Sequence, residues 1–322
     1  IALVRPNTTE TQGDVYTFNL VYSGDFLAQV EKSGLKTIRV NIGLNPFTFK
    51  WKLNPGESFG SPEVVMSYSS EGLGQFSRNS HYFYRNHLLR SEFKNKVRPI
   101  LINNWEATYF DFTEEKLHQL ASKAQEVGIE LFVLDDGWFG KRNNDNCSLG
   151  DWTVNLDKLP NGLIGLAKYA HQNNMRFGVW VEPEMISRDS NLFQSHPDWC
   201  LQVEERRMSE SRNQLILDLA NPEVCNYVYD SMDKLLSGAE IDYIKWDMNR
   251  NMTEAYSVKL NKDQKNETSH RYMLGLYNLL EKLTTKHKNV LFESCSGGGG
   301  RFDAGMLYYM PQFLTSDNTV AI

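Results

Sequence analysis

Two patterns of hydrophobic spacing divide the chain near Lys96. Before it, apolar residues alternate with polar ones. Val15, Tyr16, Phe18, Leu20 and Tyr22 crowd one such stretch, and Phe47, Phe49, Trp51 and Leu53 alternate with Thr48, Lys50 and Lys52. A period of two predicts strands with one buried face, and Pro55-Gly56 predicts the turn after them. No helical pattern of comparable strength interrupts this region. Residues 1–95 are therefore expected to form part of an antiparallel β-sandwich.

After Lys96, short apolar runs alternate with amphipathic helices. The runs are Pro99–Asn103, Ile129–Leu134, Phe177–Val181, Tyr243–Trp246, Val290–Phe292 and Met310–Leu314. Runs apolar throughout suit a parallel sheet covered on both faces. Thr113 predicts a helix N-cap, with Leu117, Leu120, Ala121 and Ala124 as the buried stripe and Gly128 as the stop. Asn221-Pro222 opens a second helix that Gly238 closes. A third is predicted over Ser269–His287, with Met273, Leu276, Leu280 and Leu283 on one face. Repeated β-then-α units predict a (β/α)8 TIM-type barrel over residues 96–322. About six of the eight units are visible, so a barrel truncated after the sixth is expected. Ile1 in place of a start Met fits a fragment or a chain that has lost a leader.

Composition excludes more than it selects. The 34 basic and 40 acidic residues leave a net charge of −6, which disfavours nucleic acid and anionic membrane as partners. No apolar run approaches the roughly 20 residues that span a bilayer. Cys147, Cys200, Cys225 and Cys295 are too scattered for a zinc site or a disulfide framework, so free thiols and a cytoplasmic location are expected. The N-x-S/T sequons at Asn7, Asn146, Asn251 and Asn266 occur at about the frequency chance supplies in an Asn-rich chain. Seven Trp and 15 Tyr suit either a large core or a sugar-binding cleft.

Chemistry gathers where the runs end. Asn103, Asn104 and Trp105 follow the first; Asp135, Asp136 and Trp138 the second; Trp180, Glu182 and Glu184 the third; Lys245, Trp246 and Asp247 the fourth; Glu293, Cys295 and Gly297 the fifth; Ser316 and Asp317 the sixth. In parallel α/β folds ligands bind at these carboxyl ends. Asp135-Asp136 admits three readings: a helix cap, a hard-cation site, or recognition of sugar hydroxyls beside Trp138. The third is preferred, and no metal or cofactor is expected. Glu182 and Glu184 read best as structural carboxylates tying strand ends together. Asp247 is a carboxylate at the end of a buried strand, with Lys245 on the same face at i, i+2 and Arg250 close by. It reads as a buried ion pair or as an ionised nucleophile beside a substrate-holding cation. Trp246, adjoining it, joins the sugar-binding candidates. Gly297–Gly300 lacks a phosphate-loop context, and its glycines are expected to let backbone approach a ligand closely. Cys295 has no His partner for nucleophilic chemistry and suits a pocket wall.

Taken together and in order, several segments resemble the α-galactosidases of glycoside hydrolase family 36. They are Phe83-Tyr84-Arg85, Pro99-Ile100-Leu101-Ile102-Asn103-Asn104-Trp105-Glu106-Ala107, Leu134-Asp135-Asp136-Gly137-Trp138-Phe139-Gly140, Gly150-Asp151-Trp152, Trp180-Val181-Glu182-Pro183-Glu184-Met185, Lys245-Trp246-Asp247-Met248-Asn249-Arg250 and Ser316-Asp317-Asn318-Thr319. The resemblance implies a retaining hydrolase of terminal α-galactosides of the melibiose and raffinose type, and a homo-oligomer in the full-length protein. A galactosyl transferase or a catalytically impaired sugar-binding homologue are the alternatives. Carried over by position, Asp247 is implied as nucleophile and Asp317 as acid/base. Asp135, Asp136, Trp180, Arg212, Lys245, Cys295 and Gly297 are implied as the galactose-binding wall, and Trp105 as part of the entrance. A retaining acid/base should be held protonated, so burial or a neighbouring charge is expected at Asp317. Two positions depart from the family pattern: Leu314 stands where Trp is usual, and Val320 where a second Asp is common.

Overall fold

The computed structural model describes residues 1–319; Val320 lies outside them. The N-terminal region holds two small antiparallel sheets. β1 (Ala2–Val4), β2 (Val15–Val21) and β5 (Glu63–Ser69) form one, with β2 central; β3 (Phe26–Lys32) and β4 (Ile38–Leu44) form the other. Two expectations for this region fail. Residues 72–83 form a helix, α1, which widens into a π turn over Tyr84–Leu88. Its sequence, with Gly72, Gly74, Ser77, Asn79 and Ser80, has weak helix propensity. Packing selects it: a Cβ at Gly72 would sit 2.4 Å from the Thr9 carbonyl, and φ there is +77°. The alternating segment Phe47–Leu53 is not a strand. Instead of a partner strand it meets the barrel: Phe49 and Trp51 pack with Phe59 around His270. The Lys52 backbone N–H donates to Glu267 Oε1 at 2.6 Å.

The rest is an open parallel sheet with helices on its outer face. In chain order it comprises β6 (Leu101–Asn103), α2 (Trp105–Thr108), α3 (Glu114–Glu126), β7 (Leu131–Leu134), α4 (Gly162–Gln172) and β8 (Arg176–Val181). An excursion follows, of paired strands β9 (Met185–Ile186) and β10 (Leu215–Ile216) with α5 (Asn191–Ser195) between them. Then come α6 (Pro222–Gly238), β11 (Tyr243–Trp246), α7 (Thr268–Lys286), β12 (Leu291–Ser294), α8 (Ala304–Tyr309) and β13 (Gln312–Phe313). The six parallel strands lie in the order β6-β7-β8-β11-β12-β13, and the sheet curls as part of a TIM barrel. All six predicted runs carry a strand. The predicted helices are present, with Thr113 and Asn221 accepting from backbone N–H groups as N-caps. The sequence reading had no counterpart for α4.

The two faces of this sheet differ, because successive side chains point opposite ways. Phe132, Leu134, Phe177, Val179, Val181, Ile244, Trp246 and Phe292 face the helices and join the main core. The inner face changes along its length. At the amino ends Leu101, Leu131, Val133, Tyr243 and Leu291 close the barrel floor with Phe93. Gly178 leaves room for Tyr243, since a Cβ there would lie 2.7 Å from the ring. Two residues further along each strand the face turns polar, at Asn103, Asp135, Lys245 and Glu293. The N-terminal unit docks through Tyr22, whose hydroxyl bonds His270 Nδ1 at 3.0 Å, and through Ser23, which donates to Asp303 at 2.6 Å.

Candidate active site

Asp247 follows β11 directly, 5% exposed. Its backbone N–H still pairs with the Val181 carbonyl at 2.8 Å, so the carboxylate is held at the sheet rather than on a free loop. Its Oδ2 accepts from Trp180 Nε1 at 3.0 Å and from Asn249 Nδ2 at 2.8 Å, and Oδ1 accepts from the Met248 N–H at 2.9 Å. The Cys295 thiol also bonds it, and burial pushes that thiol up, as suits a pocket wall and not a nucleophile.

Lys245, two residues earlier on the same face, donates to Asp135 Oδ2 at 3.0 Å. Burial works against its charge, but Asp135 and Asp247 outweigh this and hold the ammonium above its usual value. Asn103 Nδ2 bonds the same Asp135 oxygen at 2.5 Å. The ends of β6, β7 and β11 thus share one network, which passes across the intervening β8. Arg250, close to Asp247 in sequence, does not pair with it. Arg250 donates instead to the Ser209 and Gln214 carbonyls, at 2.9 and 2.8 Å.

Asp135 and Asp136 are not equivalent. Asp136 faces Arg142, which reaches it with two nitrogens, at 2.7 Å from Nη2 and 2.9 Å from Nε. Its acceptor capacity is largely used by Arg142, which ties it to the loop after β7. Lys158 secures that loop from behind, donating to the Phe110, Gly137 and Arg142 carbonyls at 3.0 to 3.1 Å.

Trp246 departs from its expected role. Odd-numbered residues of β11 face inward, and Trp246 is 0% exposed on the other side, donating to Glu184 Oε1 at 2.9 Å. It supports the site from below. Glu184 also accepts from Tyr272 at 2.7 Å and from both terminal nitrogens of Arg301, so the structural reading of Glu184 holds.

Trp180 is buried and donates to Asp247, while its carbonyl accepts from Trp138 Nε1 at 2.9 Å. Trp105, half-buried at the end of β6, packs edge-on against Tyr109 and Phe110. Arg212 sits exposed at φ +52° on the turn from Ser211 to Gln214. Asp317 opens a short 3-10 turn and is exposed, so the burial expected for it is not found. Its position is set by backbone: a Cβ at Gly298 would lie 2.8 Å from the Asp317 nitrogen, and one at Gly299 2.3 Å from the Thr315 carbonyl. These glycines admit the chain's own neighbouring segment. Gly297, with open space beside it and its N–H on Asn249 Oδ1 at 3.1 Å, is the one left facing outward. Leu314 continues the β12–β13 ladder, its N–H on the Ser294 carbonyl at 3.1 Å.

Asn249 is the residue the sequence reading passed over. It joins Asp247 to Gly297, and its own N–H reaches Glu182 Oε1 at 2.5 Å. Its i, i+2 spacing from Asp247 was the available signal. A cavity of about 720 Å³ lies elsewhere, between α4 and α6 on the outer surface, and takes in Asp151 and Trp152 but none of the strand-end residues. No helix among the described residues is long and apolar enough to cross a membrane.

An inner sheet face that is apolar at the floor and lined with carboxylates, a lysine and indoles at the carboxyl ends has its polar groups where barrel enzymes place their sites. Comparison with known proteins names the class. The Melibiase family matches residues 58–322, and the glycosyl hydrolase family 36 N-terminal domain matches residues 1–54. The chain belongs to glycoside hydrolase family 36. Among curated relatives, alpha-galactosidase AgaA of Geobacillus stearothermophilus is 58% identical over all of this chain and 44% of its own length. Alpha-galactosidase 1 of Pediococcus pentosaceus is 54% identical with the same coverage. The chain thus spans less than half the length of these relatives. The crystal structure of AgaA superposes with a TM-score of 0.97 at 58% identity, over 99% of this chain and 44% of that one.

Proposed function

We propose that this chain carries the active centre of a retaining α-galactosidase that removes terminal α-galactosyl residues from raffinose-type oligosaccharides. The observation that carries the reading is Asp247: a carboxylate held at the carboxyl end of a central barrel strand by Trp180, Asn249 and the Met248 N–H. The relatives support the substrate class. AgaA variants have been crystallised with raffinose and with stachyose. The aspartates replaced in those two variants stand 70 positions apart, the separation of Asp247 and Asp317.

In the proposed reaction an Asp247 oxygen attacks the anomeric carbon while Asp317 gives its proton to the departing glycosidic oxygen. A galactosyl-aspartate ester results. Water, deprotonated by Asp317, then attacks the same carbon and frees Asp247, so two inversions restore the configuration. The geometry requires the two carboxyl groups to stand roughly 5 to 5.5 Å apart across the bound sugar. A sugar seated against Asp317 would displace water from its exposed side. Lys245 and Asp135 offer a donor and an acceptor to galactose hydroxyls, Trp180 an apolar face, and Cys295 and Gly297 a low wall beside them. Trp105 and Arg212 border the approach. Asp136 acts through the loop it anchors.

The division into residues 1–95 and 96–322 belongs to this proposal, supported by the start of the parallel sheet at Leu101. So do homo-oligomer formation and a cytoplasmic location, the latter supported by four free thiols. The test is Asp247→Ala in the intact protein with an aryl α-galactoside. Release of the leaving group is lost, and azide restores it in part, yielding the β-galactosyl azide. Wild-type turnover without azide would refute the assignment. Adding a sugar acceptor and analysing the products separates hydrolysis from transfer.

A further inference from the structure

Glu182 has no part in the reaction above, yet it lies beside the attacking group. Trp180, Glu182, Lys245 and Asp247 share the inner face. Register sets Lys245 opposite Trp180 and Trp246 opposite Val181, so one residue further Asp247 stands opposite Glu182. The two strands pair in parallel, and neighbouring strands lie roughly 4.7–4.9 Å apart, so the two side chains leave adjacent points of one face. Glu182 is 0% exposed. One oxygen accepts the Asn249 N–H at 2.5 Å, and the other lies 3.0 Å from Gln214 Nε2. No cation bonds it. Arg142 is committed to Asp136, Lys245 to Asp135, and Arg250 to the Gln214 carbonyl.

Gln214 can meet either form of the Glu182 carboxyl group. With Nε2 turned to Glu182, its Oε1 is buried and finds no partner among the described residues. Amide orientation is an assignment between two near-identical shapes. Turning the amide over places Oε1 against the carboxyl group, where it needs a proton to accept, and puts Nε2 in the position where Oε1 found no partner.

We propose that Glu182 is a positioning residue for the reaction: as a neutral carboxylic acid it donates to Gln214 Oε1 and accepts the Asn249 N–H, and through the Asn249 amide it fixes the orientation of Asp247. The proposal rests on the reading of Asp247 as nucleophile. Burial drives Glu182 toward the neutral form, the neighbouring Asp247 and Asp136 charges add to it, and the Asn249 N–H and Arg142 oppose it; the balance lies at about 8. Two ionised carboxylates opposed on one buried face would repel, so a neutral Glu182 leaves the negative charge to Asp247. Above that pH, ionisation of Glu182 would disturb the Gln214 and Asn249 contacts together.

The experiment compares Glu182→Gln and Glu182→Ala in the intact protein, with kcat and KM for an aryl α-galactoside measured against pH. Glu182→Gln, shaped like the neutral acid, keeps kcat within roughly threefold at neutral pH and moves the alkaline limb of the profile upward. Glu182→Ala lowers kcat roughly 10- to 100-fold, with KM little changed, as expected for a displaced reacting group. Infrared spectroscopy of the protein at pH 6 adds a readout independent of turnover: a protonated-carboxyl carbonyl band that vanishes in Glu182→Gln. A Glu182→Gln variant as slow as Glu182→Ala, an unmoved alkaline limb, or an unchanged infrared band would overturn the proposal. Should Asp247→Ala keep its turnover, the nucleophile reading fails, while the infrared band still reports whether Glu182 is neutral.

Discussion

Replacing Glu184 by Ala tests the frame beneath the active site. Glu184 is fully buried and accepts four hydrogen bonds: two from Arg301, one from the Trp246 indole and one from the Tyr272 hydroxyl. Burial opposes the Arg301 charge, and Glu184 more than offsets this, raising the guanidinium. Removing the carboxylate strands that cation, at a cost of about 3–5 kcal/mol. It also leaves two buried donors without an acceptor, each costing about 1–3 kcal/mol. The lower bounds combine to about 5 kcal/mol, comparable to the whole stability of many domains, about 5–15 kcal/mol. The Glu184→Leu/Arg301→Met double variant removes both charges and fills the space with apolar groups, so it should be at least about 2 kcal/mol more stable than Glu184→Ala. Urea unfolding followed by tryptophan fluorescence measures both, reading the transition of the barrel. Because Trp246 leads directly into Asp247, kcat should fall with the single variant even where it remains folded. A loss below about 1 kcal/mol, or a double variant no better than the single, would refute the view that an uncompensated charge dominates.

Three further outcomes follow from particular contacts. Asp317→Asn should leave the unfolding midpoint within about 0.5 kcal/mol of wild type, since the residue is exposed, while losing turnover most severely for substrates with poor leaving groups; rates with aryl and natural galactosides compare this directly. Asp218, pushed up to about 6 chiefly by burial despite the Ser257 hydroxyl bonded to it, keeps its proton longer when folded than the ordinary 3.8 allows. Its contribution to stability is therefore full below pH 3.8 and lost as pH rises through 6, so Asp218→Asn should flatten the melting temperature across that window in a calorimetric pH series. Gly275→Ala would place a methyl 1.9 Å from the Leu219 carbonyl, where α7 crosses the turn before α6; the backbone must shift, and a loss of at least about 1–3 kcal/mol should appear in urea unfolding.

The fold was legible where local pattern and tertiary demand agree. The six apolar runs became the six parallel strands because a strand covered on both faces can be recognised from its residues alone. Thr113 and Asn221 cap their helices with side chains that act on their own backbone. The N-terminal region shows the converse. Phe49 and Trp51 alternate as a strand would, but their burial comes from His270, more than two hundred residues away. α1 is poor in helix formers, and packing against the Thr9–Gln12 segment holds it. Both facts depend on which distant surface the segment meets.

The site divides along the same line. Sequence alone singled out Asp247, Asp135 and Lys245 as candidates at strand ends, because strand-end position and i, i+2 alternation are properties of a single strand. It could not distinguish Asp135 from Asp136, since that depends on Arg142 reaching across a loop, nor predict that Lys245 pairs with Asp135 on another strand. It put Trp246 beside the substrate, where the alternation of β11 turns it toward Glu184. Register across β8 and β11, invisible in either strand alone, is what sets Glu182 opposite Asp247. The residue types available at each strand end are thus a matter of local order in the chain. Which of them share a hydrogen bond, a charge or a proton is decided only when the strands align, because those interactions act across a few ångströms of space and not along the sequence.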